Sequence, residues 1–427
     1  MTYINNNKIK GLGGIKRAYL NNTLIFQSFE KNVSEKYDID VEFSRANERG
    51  NRFFINGTEI ITTDAYYKGR LKDLGFDKIE SFSFHTSLLT KINAFPSIAN
   101  VTTLGFAFDH CTQLAEIPDL DYPNGVDCGV MFGYTSISKL ANIRPSSASG
   151  MYCGCPNLTE VSASNILDDA SDISIFVAGC ENLTEFYFGN GRDITPTNLF
   201  NFFYLDSKLS MIYNISYLKL DKVTDISSMF QGCSSLKSIS TIHFGSKPTS
   251  LLTNASNMFN GCGLDLTNGM VSALPRLHKF FINCTNLTDV SGLFANSSLG
   301  ESSLTYSDNN GLCIFNNSKI ENCSRLFQNT KITNVDLSTS YLSTVTDCSE
   351  MFSGCSNLER VTFDALNLRE DINYSGMFNG CSNLNEIQFN NTPSCTSYNI
   401  IKAAIEEAGL TSQVTFNFVN GEPNCGT

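Results

Sequence analysis

Tryptophan is absent from this sequence, histidine occurs four times and proline ten, and only 17% of the 427 residues are charged. So little charge excludes a disordered tail or a charged coiled coil. No stretch approaches the roughly 18 consecutive apolar residues that a membrane-spanning helix needs. Lys and Arg number 30 against 42 Asp and Glu, a formal net charge of −12. The most basic stretch, Lys8, Lys10, Lys16 and Arg17, is short and dispersed. Such a surface repels a phosphate backbone, so nucleic acid is not an expected partner. The N-terminal MTYINNNKIKGLGG has no apolar segment of the secretory-signal kind. Unless a leader has been processed off, the expectation is a product that leaves the cytosol by lysis or not at all.

Chemistry-bearing patterns are equally sparse. The histidines at 85, 110, 243 and 278 include no pair at metal-ligand spacing in sequence. His110 adjoins Cys111, which falls at a repeat core position described below, so both read as structural. Cys153-Gly-Cys155 has no second pair to complete a four-ligand zinc set. No P-loop, dinucleotide-binding glycine pattern, nucleophile elbow or zinc-protease helix is present. Gly11-Leu-Gly13-Gly14 precedes a strand rather than a helix, and Asp308-Asn-Asn-Gly lacks the remaining ligands of a calcium loop. Asp168-Asp169 reads as solvated surface in so acidic a chain. The sequence therefore predicts a non-enzymatic protein without cofactor or metal.

What the chain has is repetition. Phe numbers 32, Gly 30 and Cys 15. The phrases MFQGCSSLKSI from Met229, MFSGCSNLERVTF from Met351 and MFNGCSNLNEIQF from Met377 align on one template. It runs aromatic, two residues, Cys, two residues, Leu, two residues, aliphatic, as in Phe352, Cys355, Leu358, Val361 and then Phe363. Weaker copies are Phe108–Cys111–Leu114–Ile117, Tyr152–Cys155–Leu158–Val161 and Phe281–Cys284–Leu287–Val290. Phe176 to Cys180 carries one extra residue, Asp206 stands in a Cys slot, and the stretches around Phe132, Phe294 and Phe327 read as degenerate. Cys slots lie 26 residues apart between Cys355 and Cys381, a period in the leucine-rich-repeat range. Cys128, Cys323 and Cys348 occupy a second position where other copies have Ile226, Ala255, Val290 or Tyr374. Cys that exchanges with apolar residues behaves as a small core side chain, so free thiols are expected rather than disulfides.

Alternation in Leu358-Glu-Arg-Val361-Thr-Phe363 predicts a short strand with Val361 and Phe363 inward. The preceding Met-Phe-x-Gly-Cys segment predicts a turn or short helix, with Gly232, Gly354 and Gly380 at a positive-φ C-terminal position. The fold class expected is mainly β with short helices and turns: a leucine-rich-repeat-like solenoid of about 10–12 degenerate repeats with N- and C-terminal caps. The sequence divides into an N-terminal β-hairpin module (1–30), a β-rich cap or linker (31–75), the repeat solenoid (76–395) and a helix–strand cap (396–427). In the last of these, NIIKAAIEEAGL from Asn399 is an amphipathic helix stopped by Gly409, and the strand VTFNFV follows.

VTDISSMFQGCSSLKSI and VTDCSEMFSGCSNLERV resemble the BspA-like leucine-rich repeats and the related Met-Phe-Gly-Cys repeats of bacterial surface proteins. The likeness covers about three quarters of the chain and is strongest over 223–390. Members of such families are typically adhesins or surface lipoproteins, but this sequence shows no signal peptide or lipobox. IKRAYLNNTLIFQ, read as strands Ile15–Leu20 and Thr23–Gln27 around Asn21-Asn22, is similar to a short N-terminal module of many phage virion proteins. That resemblance implies a virion structural protein of fibre or decoration type. Residues 1–30 would contact other virion proteins, the solenoid would meet a host surface glycan or protein, and the chain would be a homo-oligomer. The alternative is a bacterial cell-surface adhesin.

One row of residues is a candidate recognition face. The outward strand position carries Glu116, Glu160, Glu185, Ser238, Asp289, Asn334, Arg360 and Glu386, and a second row carries Ser162, Tyr187, Ser240, Asp336, Thr362 and Gln388. Carboxylates, hydroxyls and amides in file suit sugar hydroxyls or a basic protein surface. They would equally serve as the polar solvated face that every such sheet needs.

Overall fold

A chain in which each turn carries the same apolar residues can bury them by coiling so that equivalent residues stack. The computed structural model has that form. It describes residues 2–3, 18–20, 23–26, 37–85, 87–189, 191–237, 251–263, 284–299, 319–338, 342–364 and 368–425. The coil that begins at Val223 shows how the V-T-D-x-S-x-M-F-x-G-C phrase fixes a turn, residue by residue. Val223 is buried; the Thr224 hydroxyl donates to the Thr197 carbonyl of the previous coil (3.3 Å); the Asp225 carboxylate accepts from the Ser227 N–H (2.7 Å). Parallel bridges link this Asp position from coil to coil through Thr103, Asp127, Ser147, Asp172, Asn198, Asp225, Asn254, Asp289, Asn322, Asp347 and Asn373. Those eleven rungs set the register of the whole array.

Five residues after every rung except Asp172, an aromatic ring faces the axis. Phe84, Phe108, Phe132 and Tyr152 stack in one column, and Phe203, Phe230, Phe259, Phe294, Phe327, Phe352 and Phe378 in another, with centroids 5.3 to 5.8 Å apart. Phe132, Phe294 and Phe327 are therefore regular members of the repeat, although the sequence around them reads as degenerate. The columns join at Val177, which holds the aromatic slot of its coil. Phe176 sits in the Met slot instead, stacked on Phe202 at 5.6 Å, and Phe202 packs against Phe203. The coil thus has no inserted residue; its aromatic has moved by one position.

Eight residues after each rung comes the Cys slot. The thiols of Cys111, Cys155, Cys180, Cys233, Cys355 and Cys381 donate to the carbonyl of the aromatic residue one coil earlier, at 2.9 to 3.3 Å. Thr135, Ser297 and Thr330 fill the same slot and donate to their own coil's aromatic carbonyl. The slot selects a small buried donor, which explains why Cys, Thr and Ser interchange there. Gly232, Gly354 and Gly380 have positive φ as expected. They close a succession of turns, however, not a helix. The Phe230 N–H donates to Met258 O of the next coil (2.9 Å), so the backbone bonds run between coils rather than along a helix.

Strands are short and parallel where they form. β10 (Glu160–Ser162), β11 (Glu185–Tyr187) and β12 (Met211–Tyr213) make one sheet, and β13 (Asn334–Asp336), β14 (Arg360–Phe363), β15 (Glu386–Phe389) and β16 (Thr415–Phe418) another. The N-terminal end is closed by two antiparallel sheets of 37–94. One comprises β4 (Ile39–Phe43), β7 (Tyr66–Gly69) and β9 (Leu89–Ala94); the other comprises β5 (Asn51–Ile55), β6 (Thr58–Thr62) and β8 (Phe82–Ser83). Asn56 and Gly57, both at positive φ, turn β5 into β6. Because β8 and β9 pair with β5 and β4, this cap extends beyond residue 75 and interlocks with the first coil; Phe53 stacks on Phe84 at 4.9 Å. Further upstream, β2 (Ala18–Leu20) and β3 (Thr23–Phe26) pair antiparallel, and β1 (Thr2–Tyr3) pairs parallel with β2. Asn21 and Asn22 lie outside the described residues.

At the other end, helix α1 spans Cys395–Glu407, beginning four residues before Asn399. The Ser394 hydroxyl caps it by accepting from the Ser397 N–H (3.2 Å), and Gly409 (φ +72°) follows its end. Cys395 forms a disulfide with Cys425, contrary to the expectation of free thiols throughout. These two cysteines lie outside the repeat frame, so no core slot claims them. The twelve other cysteines in the described residues are buried.

Candidate functional site

The outward row exists in two stretches. On β10–β12, Glu160, Glu185 and Met211 are register partners; on β13–β16 the partners are Asn334, Arg360, Glu386 and Thr415. Arg360 bridges Glu386 at 3.1 Å, and the Asn417 amide donates to the same carboxylate (2.9 Å). The second row is also in register: Ser162 beside Tyr187 and Tyr213, and Asp336 beside Thr362, Gln388 and Asn417. Tyr187 and Tyr213 stack at 4.4 Å. The Tyr187 hydroxyl donates to Glu185 (2.7 Å), and that bond pushes the phenol up to about 12. Thr362 is buried, so its place in the row contributes little surface.

Four residues of the two expected rows stand apart. Ser238 and Ser240 lie outside the described residues. Asp289 is not on the strand face at all. Leu287-Thr288-Asp289 is the V-T-D phrase of its coil, with Thr288 donating to Thr253 and the Asp289 carboxylate capping the Ser291 N–H (2.8 Å). The Cys284–Leu287–Val290 alignment had shifted the frame onto the wrong segment, and Phe281 is outside the described residues. Glu116 is exposed but belongs to no strand; it lines an open groove of about 650 Å³ with Ile117, Tyr122 and Lys139.

A second cluster has no counterpart in the linear pattern. His85 and His110, 25 residues apart, are brought together by one turn of the solenoid. Nδ1 of each lies 2.9 Å from the same Asp109 oxygen, Oδ2. Asp109 is 3% exposed, whereas each imidazole is about half exposed. The other carboxylate oxygen, Oδ1, is buried without a hydrogen-bond partner. His110 stacks on Tyr134 at 4.4 Å, and the two imidazoles meet edge to face at 5.8 Å. Among the described residues, these three are the one grouping of His, Cys, Asp or Glu with ligand atoms close enough for a shared ion, all within 4.8 Å. The cysteines offer nothing comparable, since burial pushes the Cys111 and Cys155 thiols up to about 12 and about 11, away from the thiolate form.

Residues 197–298 and 277–393 match a family model described as Mycoplasma protein of unknown function, DUF285. Together the two matches span 197 of the 427 residues, all within the repeat array. No curated protein matches the chain. The match and the stacked coils agree with the BspA-like repeat resemblance and make this a solenoid repeat protein. They do not bear on the likeness of the N-terminal hairpin to virion modules.

Proposed function

We propose that this chain is a surface-recognition protein whose solenoid presents a polar strand face to a partner. The observation that carries this reading is the register of the outward row. Asn334, Arg360, Glu386 and Thr415 lie side by side on four paired strands, and Glu160 and Glu185 begin the same arrangement on β10 and β11. Parallel strands hold such groups about 4.8 Å apart without further ordering cost, which favours a repetitive or extended partner such as a glycan or a basic protein surface. No helix among the described residues is long and apolar enough to cross a membrane.

The setting is a bacterial cell surface, with the chain acting as an adhesin. The BspA-like repeat resemblance supports this, and so does the Cys395–Cys425 disulfide, since such bonds persist mainly outside the reducing cytosol. A second reading rests on the likeness of the N-terminal segment, in which β2 and β3 pair antiparallel, to virion attachment modules. In that reading residues 1–30 dock on other virion proteins and the solenoid, as a homo-oligomer, projects to the host. Mass spectrometry of envelope and phage-particle fractions separates the two settings. Recognition itself is tested with Glu160→Ala, Glu185→Ala and Glu386→Ala combined. Binding of the purified chain to host cells should fall at least about tenfold, as expected when several contacts of about 0.5 kcal/mol each are lost. Unchanged binding by a folded triple variant would remove this face from consideration.

A further inference from the structure

We propose that His85, Asp109 and His110 form a binding site for a first-row divalent metal ion, with zinc the natural occupant. The proposal is independent of the recognition face, which lies on other residues.

Four observations support it. Two imidazoles and one carboxylate are a donor set that suits zinc and its first-row neighbours. The ligand atoms are already close, with each Nδ1 2.9 Å from Asp109 Oδ2. With metal–ligand bonds of about 2.1 Å, adjacent ligand atoms in a right-angled arrangement stand about 3 Å apart. Each nitrogen–oxygen pair therefore already stands at the spacing of two ligands on one ion, and all three ligand atoms lie within 4.8 Å of one another. Third, the carboxylate is desolvated and incompletely satisfied. Asp109 is 3% exposed and its Oδ1 has no partner, so a cation bound at this carboxylate would supply an interaction that the protein leaves unmade. Fourth, the support is built in. His110 is held flat on Tyr134, and the next coil has Gly133 where a Cβ would come within 2.9 Å of Asp109 Oδ1.

The two histidines are about half exposed, so their outer side is open and the remaining coordination positions would be filled by water or by a group from a partner. His85 follows β8, which belongs to the N-terminal cap, whereas Asp109 and His110 belong to the next coil. An ion here ties the cap to the array.

The experiment uses the full, untagged chain dialysed against zinc or cobalt(II), with metal content and cobalt visible absorption as readouts. One ion per chain is expected, with cobalt d–d bands but no sulfur charge-transfer band. The comparison is His85→Gln combined with His110→Gln. Both side chains are half exposed, so the variant should keep the parent circular dichroism spectrum. Its affinity should fall at least about 100-fold, since it lacks two of the three ligands. Zinc should also raise the thermal midpoint of the parent and leave that of the variant unmoved. The idea fails if the parent shows no saturable binding, or if the double variant binds as tightly. It fails equally if a sulfur charge-transfer band places the ion on cysteines. Should the variant not fold, the parent's stoichiometry, spectrum and zinc-dependent midpoint decide the matter alone.

Discussion

Asp206 occupies a slot that six other coils fill with a cysteine donating to the neighbouring coil. It is fully buried; its Oδ1 accepts from the Cys180 N–H (2.8 Å), while Oδ2 has no partner. Burial holds this carboxyl well above the usual carboxylate range, which favours its protonated form in the folded state. In the unfolded chain the same group ionises near pH 4. Between that pH and the raised folded value the native state binds more protons than the unfolded one, so stability falls as pH rises. Asp206→Cys removes that slope and restores the repeat's own donor. At pH 7 the variant should be more stable than the parent by about 1–3 kcal/mol, and the gap should close as pH falls towards 4. Chemical denaturation at several pH values checks this, and a gap independent of pH would contradict it. A slot that alternates among Cys, Thr and Ser is legible from sequence because all three are small, and Asp206 is legible as the exception. The column shift at Phe176 and Val177 is not, because moving an aromatic by one residue leaves composition and spacing almost unchanged while the ring still reaches the axis.

Between rungs a further pattern emerges. From Asp172 onward the ladder reads Asp, Asn, Asp, Asn, Asp, Asn, Asp, Asn through Asn198, Asp225, Asn254, Asp289, Asn322, Asp347 and Asn373. All eight side-chain oxygens cap the N–H two residues on, at 2.7 to 3.3 Å, so either residue type serves within a coil. Stacking explains the alternation. Neighbouring rungs lie about 4.8 Å apart, and an Asn amide can donate sideways where a second carboxylate could only repel. Asn254 donates to Asp225 at 3.2 Å and Asn373 to Asp347 at 3.3 Å. Asn254→Asp places three carboxylates on consecutive rungs, with Asp225 and Asp289 on either side. The expected loss is about 1–2 kcal/mol at neutral pH and low salt. It should shrink in molar salt. Thermal midpoints at two salt concentrations measure it; a loss insensitive to salt would mean that geometry, not charge, selects Asn. The aromatic, Cys and Leu rows were visible in the sequence because apolar residues at a fixed period stand out. This row was hidden because Asp and Asn at turns look like any solvated loop. The His85–Asp109–His110 cluster was hidden for a different reason. The first coil has Ser87 in its Cys slot and no Met-Phe phrase, so nothing in the pattern placed His85 above His110.

A solenoid of eleven rungs has a ladder roughly 50 Å long, and each coil meets only its two neighbours. Its ends are the parts that need protection. At the C-terminal end β16 adds to β15, Phe418 stacks on Phe389 at 5.5 Å, and α1 covers the last coil. The Cys395–Cys425 bond closes a loop of 30 residues around this unit. Chain-entropy arguments assign such a closure about 3–4 kcal/mol, most of it exerted on the unfolded segment. In a globular domain that sum would be shared by the whole molecule. In a linear array of nearest-neighbour contacts it belongs to the cap and fades along the coils. Replacing both cysteines by serine should therefore lower hydrogen-exchange protection in α1 and β15 by up to about 3 kcal/mol. Amides of the coils from Phe108 to Phe230 should keep their parent rates. Reduction of the parent with a thiol should reproduce the same gradient, which separates loss of the cross-link from any effect of serine. If protection instead fell equally in every coil, the array would be unfolding as one cooperative unit. The stacked aromatic column would then couple the ends far more strongly than contact between neighbouring coils alone provides.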